Sequence, residues 1–250
     1  MQEGFVKSVQ LLAPEDGEVR AGYPWELPSI ASLGQPLVLN ATVTYLVGEN
    51  GTGKSTLVEA IAVAAGMNPE GGSRNFSYAT RESHSPLAGA LRLVRGARRP
   101  RTEYFLRAES FFTAATYIES LATNKADLAT ALAPYGGRSL HEQSHGESFL
   151  ALILNRFGSD GFYVLDEPEA ALSPQNCLTL LRRIDQLVKD GSQFLIATHS
   201  PLVLAYPGAR ILNCSETGLE EISYDEADSV RLTQSFLAGR ERFLNELLAE

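Results

Sequence analysis

The chain has 250 residues, 44% hydrophobic and 20% charged, with 21 glycines and 12 prolines. That balance excludes a disordered tail and a collagen-like fibre, and a chain of this length can bury a sizeable core. Thirty acidic against 21 basic side chains leave a formal charge of −9. This excludes a basic footprint over the whole surface, though not a local basic patch.

Two cysteines, Cys177 and Cys214, are too few for a disulfide framework and read as buried thiols of a reducing compartment. The N-terminal MQEGFVKSVQLLAPEDGE has no charged-then-apolar leader layout, because acids and Pro14 interrupt it. The most apolar helical stretch, Leu57 to Met67, carries Glu59 and falls far short of the ~18–20 residues of a membrane span. A soluble, cytoplasmic protein without membrane insertion is expected.

The first forty residues alternate short β-like runs with turn signals at Ala21-Gly22-Tyr23-Pro24 and Leu33-Gly34-Gln35-Pro36. Ala41 to Val47 is a β-branched run stopped by Gly48, a buried strand. Ser55 to Ala65 has apolar residues at helical spacing. The 68–101 region reads as irregular, Tyr104 to Arg107 as a strand, 111–133 as mostly helical, and His145 to about Arg156 as a helix. Phe162 to Leu165 and Phe194 to Ala197 are buried strands flanking an amphipathic helix from Leu178 to Val188. That βαβ unit implies a parallel sheet. Val230 to Leu248 predicts one or two amphipathic helices around Gly239, with an apolar stripe expected to dock on the body.

Gly48-Glu49-Asn50-Gly51-Thr52-Gly53-Lys54-Ser55-Thr56 matches G-x-x-x-x-G-K-[ST] in full. The glycines let successive backbone N–H groups curl around a phosphate, and the following helix adds its positive end. Lys54 is placed to reach the β- and γ-phosphates and Ser55 to offer its hydroxyl to Mg²⁺. A second constellation closes the strand Phe162 to Leu165. There Asp166 is placed for the Mg²⁺ shell and Glu167 for orienting or deprotonating water, with Pro168 ending the strand. His199, after the next strand, falls at the same sheet edge as Glu167 if the two strands are neighbours.

The ordered set GENGTGKST, SHGES, VLDEPEAALS and ATHS resembles the ABC-type ATPase superfamily from about Tyr45 to Pro201. Longer stretches (GENGTGKSTLVEAIA, LRAESFF, SHGESFLALI, DEPEAALSP) resemble small bacterial ATPases labelled AAA-family although their motifs are ABC-like. The resemblance implies a single α/β P-loop domain over 1–250. A mixed, largely parallel sheet would form its core lobe, at about 1–106 and 159–250, with a helical signature lobe at about 107–158. It implies nucleotide contacts from Glu49, Asn50, Gly51, Thr52, Gly53, Lys54, Ser55 and Thr56, and Walker B roles for Asp166 and Glu167. His199 would be the switch histidine that senses γ-phosphate, and Ala170-Ala171-Leu172-Ser173 the D-loop.

Ser144-His145-Gly146-Glu147-Ser148 stands where the superfamily has LSGGQ. Ser144, Gly146 and Glu147 are thereby assigned to a nucleotide held by a second copy, in an ATP-sandwiched head-to-tail homodimer. Ser144 followed by Glu147 also forms a capping box, so the same residues fit a simple helix start. No Q-loop glutamine is evident, and Glu109, after the strand Tyr104 to Arg107, is assigned to that position as a metal ligand. Tyr23 and Trp25 are candidates for adenine stacking or for the core.

The implied activity is Mg²⁺-dependent hydrolysis of ATP, driving or gating an unidentified partner. The other readings are a nucleotide-gated DNA- or partner-binding clamp and the ATPase subunit of a membrane transporter. Ninety residues separate Lys54 from Ser144, too few for a long coiled coil. Leu91 to Arg101 holds five arginines, either a charge-guarded strand edge or a phosphate-backbone contact. No interleaved aromatics support the second.

Overall fold

A computed structural model describes residues 4–14, 17, 19–69, 71–72, 85–111, 132–133, 136–138 and 144–249. Among these, nine strands form two sheets. Strands β1 (Val6–Leu11), β2 (Leu37–Val38) and β4 (Leu91–Arg95) make a small antiparallel sheet in the order β2-β1-β4. Strands β3 (Val43–Gly48), β5 (Thr102–Arg107), β6 (Gly161–Asp166), β7 (Gln193–Ala197), β8 (Arg210–Ser215) and β9 (Gly218–Ile222) make the second, in the order β5-β6-β7-β3-β8-β9. All its neighbours are parallel except β8 and β9, which pair as an antiparallel hairpin. The α/β class and the mixed, largely parallel sheet follow the sequence expectation.

Period-two alternation on the fully buried strands sends side chains to both faces. Tyr45, Val47, Tyr163, Leu165, Phe194 and Ile196 point into one core. It is closed by α4 (His145–Arg156) and α5 (Pro174–Lys189) through Phe149, Leu152, Leu180 and Ile184. Leu46, Phe162, Val164, Leu195 and Ala197 point into the other, closed by α2 (Lys54–Ala65) and the small sheet through Leu57, Ile61, Val6 and Val9. Each fully buried Leu or Phe contributes roughly 1.5–3 kcal/mol. Phe157 stacks on Tyr163 at 4.1 Å between centroids and 3° between planes. The Tyr163 hydroxyl both donates to the Gly158 carbonyl and accepts from the Gly158 N–H. Gln193 ties the sheets together: its Oε1 accepts from Val6 N at 2.9 Å, and its Nε2 donates to the carbonyls of Val6 and Leu39.

Two short helices, α1 (Pro28–Ala31) and α3 (Leu87–Ala90), precede the phosphate loop and β4 respectively, and α6 (Pro201–Leu204) follows β7. The chain ends in α7 (Asp228–Ala238) and α8 (Arg240–Leu247). Their apolar stripe departs from the expected docking. Val230 is buried in α7 and no residue is buried in α8, while Leu232, Leu237 and Leu247 are 60–73% exposed. The break at Gly239 folds α8 against α7, so Phe236 meets Phe243 edge to face at 5.6 Å, while α7 is seated on the body through Val230.

The arginine-rich stretch is β4 and its exit, at the edge of the small sheet. Arg92 binds the Gln10 side chain, Arg95 bonds to Ala65 O and lies 3.7 Å from Glu103, and Arg98 and Arg101 pair with Asp160. Four of the five arginines are thus engaged within the chain, in keeping with a charge-guarded edge. Most of the predicted 111–133 helix lies outside the described residues.

Candidate functional site

Strand register builds the site. Arg107 on β5 pairs with Asp166 on β6, Asp166 with Ala197 on β7, Leu46 on β3 with Ala197, and Gly48 with Cys214 on β8. The phosphate loop, both acids and the segment carrying His199 therefore emerge from one carboxyl edge of the sheet, where open α/β sheets bind ligands.

The loop runs from Gly48 to Gly53, between β3 and α2. Gly48 has φ +130°, and a Cβ there would lie 2.1 Å from the Cys214 carbonyl oxygen. Gly53 has φ +93°, and its Cβ would lie 2.4 Å from Ser29 Oγ. Both positions need the missing side chain for conformation and for space. Thr52 is buried and its hydroxyl donates to Glu49 O at 2.8 Å, tying the loop closed. Glu49, Asn50 and Gly51 are exposed at its tip, with Ser55 and Thr56 half-buried on the first turn of α2. Lys54 is 4% exposed, and its Nζ donates to Gly48 O at 2.8 Å and Glu49 O at 2.7 Å. Burial pushes its ammonium below the usual lysine value, opposed by Cys214 and by the charges of Glu167, Asp166 and Glu169.

Asp166 is 4% exposed. Burial raises its carboxyl above the usual range, against the pull of Arg107 and the Ser55 hydroxyl. Arg107 donates from Nε to Asp166 Oδ2 at 3.0 Å and from an Nη to Glu59 Oε2 on α2 at 2.8 Å. Burial alone would lower the guanidinium, but Asp166 and Glu59 outweigh it and raise it.

Glu167 adopts the left-handed region at φ 48°, ψ 52°, a backbone state that costs on the order of 1–3 kcal/mol in a non-glycine residue. Its N–H donates to Ala197 O at 3.0 Å, which anchors the turn to β7. Its Oε1 lies 3.5 Å from His199 Nε2, so the two residues do meet across neighbouring strands. His199 Nε2 is buried and, among the described residues, has no hydrogen-bond partner.

Ser144 caps α4 as a full capping box with Glu147. Its Oγ accepts from Glu147 N, and Glu147 Oε2 accepts from Ser144 N at 3.0 Å and Oγ at 2.7 Å. These bonds hold the Glu147 carboxyl below its usual value. Gly146 packs tightly on the turn after β6, since a Cβ there would lie 3.0 Å from the Ala171 carbonyl. Glu109 is exposed on the helical turn after β5, and Arg107, one residue before that turn, takes the place beside Asp166. Tyr23 is 68% exposed with its hydroxyl 3.4 Å from Thr56 Oγ1, so it belongs to the rim of the loop and not to the core. Trp25 is the core-directed member of that pair, packed against the second core with the Arg20 guanidinium 4.7 Å above its ring.

Asp166 Oδ1 is buried without a hydrogen-bond partner among the described residues, and Ser55 lies beside the carboxylate. One orphaned hard oxygen and one hydroxyl suit Mg²⁺, which keeps waters and completes its shell with phosphate oxygens. Among the described residues no group of three or more His, Cys, Asp or Glu forms a metal cage on its own. The roles of Arg107, Glu59 and Glu169 were missed by sequence reasoning. Only the strand register, unknown from one sequence, brings Arg107 beside Asp166.

Comparison with known proteins agrees with this arrangement. Residues 30–125 match an AAA domain family, and residues 135–205 match a second AAA domain family, linked by its description to the AbiEii toxin of a type IV TA system. An uncharacterized ABC transporter ATP-binding protein of Haemophilus influenzae is 28% identical over 183 residues, 68% of each chain. CbiO1 of Clostridium perfringens, part of an ABC transporter complex, superposes with TM-score 0.51 at 16% identity, covering 96% of this chain and 98% of that one. An ABC transporter in an inward-facing conformation gives 0.50 at 16% identity, over 95% and 90%. Among the described residues no helix is long and apolar enough to cross a membrane. With the phosphate loop, Asp166, Glu167 and His199 gathered at one sheet edge, the chain has the P-loop α/β fold of the ABC ATPase structures it resembles.

Proposed function

We propose that the protein binds and hydrolyses ATP in a head-to-tail dimer that sandwiches two nucleotides. The observation that carries this reading is the set of unsatisfied groups at the sheet edge. Among the described residues Asp166 Oδ1 and His199 Nε2 are buried without hydrogen-bond partners, and Lys54 Nζ donates to the loop's own carbonyls. Leaving buried polar groups unpaired costs about 1–3 kcal/mol each, and a triphosphate with its cation would relieve that cost.

On this reading Lys54 exchanges Gly48 O and Glu49 O for β- and γ-phosphate oxygens, while the N–H groups from Glu49 to Thr56 wrap the phosphates. Ser55 and Asp166 would hold Mg²⁺, which supplies charge neutralisation at the phosphates. Glu167 accepts a proton from the attacking water, and His199 hydrogen-bonds the γ-phosphate and orients it. Ser144 and Gly146 are assigned to the nucleotide of the second copy by their resemblance to the superfamily's signature segment. Tyr23, exposed beside Thr56, is the better placed candidate for stacking on adenine. The domain is read as one unit over 1–250 with a helical lobe at about 107–158, acting in the cytoplasm on an unidentified protein partner.

Phosphate release from Mg-ATP tests the reading. Wild type is expected to turn over, Lys54→Ala to lose nucleotide binding, and Glu167→Gln to bind without turnover. Turnover that survives in Glu167→Gln would overturn the role of the acid. A second reading, the ATPase subunit of a transporter, rests on the H. influenzae relative and the transporter structures. It predicts co-purification with a membrane protein, and recovery of the native protein without one contradicts it. In a nucleotide-gated clamp, Glu167→Gln would instead retain biological function that Lys54→Ala loses.

A further inference from the structure

Three residues, Thr198 to Ser200, join the end of β7 to the first residue of α6, and His199 is the middle one. The imidazole can hold a fixed position at the site only if this short backbone is held. Thr198 N still donates to Leu46 O of β3 at 3.1 Å, but the next two amides leave the sheet ladder. His199 N donates to Glu169 Oε1 at 2.5 Å and Ser200 N donates to the same oxygen at 3.1 Å. Ser200 N also reaches Thr198 Oγ1 at 3.0 Å. Glu169 belongs to the 3-10 turn Pro168–Ala171, two residues beyond Glu167. Its other oxygen, Oε2, is buried and has no hydrogen-bond partner among the described residues. A carboxylate that converges two backbone donors on one oxygen is a strong, charge-assisted anchor. Here it fastens the acid-bearing turn after β6 to the histidine-bearing turn after β7.

We propose that Glu169 is a positioning residue: its carboxylate grips the His199 and Ser200 amides and thereby holds the His199 imidazole 3.5 Å from Glu167, in register for the γ-phosphate. This deepens the ATPase reading and rests on it. Glu169 acts through His199, so its loss slows turnover and leaves nucleotide binding intact. The acceptor oxygen matters more than the charge, so Glu169→Gln, which keeps a carbonyl oxygen in reach, restores most of the effect.

Two measurements on the full chain test this. Hydrogen exchange in the peptide containing Thr198 to Ser200 needs no activity. Glu169→Leu is expected to speed it about ten- to a hundredfold, the scale of losing two anchored amides, with α5 unchanged and Glu169→Gln near wild type. Unchanged exchange in Glu169→Leu overturns the proposal. Steady-state phosphate release is then compared with binding of a fluorescent ATP analogue. Glu169→Leu is expected to lower kcat about tenfold or more with KM within about threefold, and to add nothing in a His199→Ala background. A full additional loss in that background would show that Glu169 does not act through His199 and would overturn the proposal. A wild-type protein that fails to hydrolyse ATP overturns the ATPase reading instead, while the exchange data still decide whether Glu169 holds the loop.

Discussion

The carboxyl edge of the parallel sheet and the C-terminal arm face each other across one cavity of about 590 Å³. Gly48, Glu49, Thr198 and His199 line it from the sheet, and Arg231, Leu232, Ser235 and Phe243 from the arm. The sheet edge rests on β3, β6 and β7, which are buried on both faces, and among the described residues it leaves polar atoms without hydrogen-bond partners: Asp166 Oδ1, Glu169 Oε2 and His199 Nε2. The arm is the reverse. Its unsatisfied surface is apolar, and within α7 only Val230 is seated in the body. A polar group left unpaired on a stiff scaffold marks a place for a small charged ligand. Exposed leucines on a weakly seated helix pair carry little of the fold's stability.

The strongest way to break that comparison is at Gly48. Gly48→Ala puts a Cβ 2.1 Å from the Cys214 carbonyl at φ +130°, so stability should fall by about 3 kcal/mol or more and ATP-analogue binding should vanish. Urea unfolding and fluorescence titration read the two effects. Next in size is the core against the arm. Leu57→Ala, in the fully buried second core, should cost about 2–5 kcal/mol, whereas Leu237→Ala and Leu247→Ala should each stay within about 0.5 kcal/mol. A large loss at Leu237 would mean that the arm is seated more firmly than its exposure indicates.

Catalysis sharpens the sheet side. Glu167→Gln should lower turnover by about 10²- to 10⁴-fold with little change in urea midpoint, as expected for a lost general base. The smallest effect concerns the thiols. Burial raises the Cys177 thiol and pushes Cys214 up to about 12, so neither should label with a thiol-specific reagent at neutral pH until the chain unfolds. Prompt labelling of Cys214 would place the β3–β8 edge open to solvent.

Much of this was legible in the sequence because local signals and global packing agree. The phosphate loop announces itself by glycine spacing. The strands ending at Gly48, Asp166 and Ala197 and the helices starting at Lys54 and His145 fall within a residue or so of their expected places. The capping box at Ser144 formed as its spacing predicts. What remained hidden depends on register between distant strands. Arg107 reads as an ordinary strand end until β5 is paired with β6, and Glu109 gains its appeal only from proximity in sequence. Glu169 was hidden for the same reason, because its partners lie thirty residues on, across a helix and a strand. The arm misled in the other direction. Amphipathic periodicity specifies that a face is apolar but not what covers it, and here Phe236 and Phe243 satisfy each other across the Gly239 break.

The central claim is that two copies close on ATP, each supplying Ser144 to the other's nucleotide. Solution mass by light scattering on Glu167→Gln, with and without Mg-ATP, tests it directly when repeated with Ser144→Arg added. The account predicts a monomer that becomes a dimer with ATP, and no dimer once Ser144 is replaced. A mass unmoved by ATP, or an ATP-dependent dimer indifferent to Ser144→Arg, would contradict it.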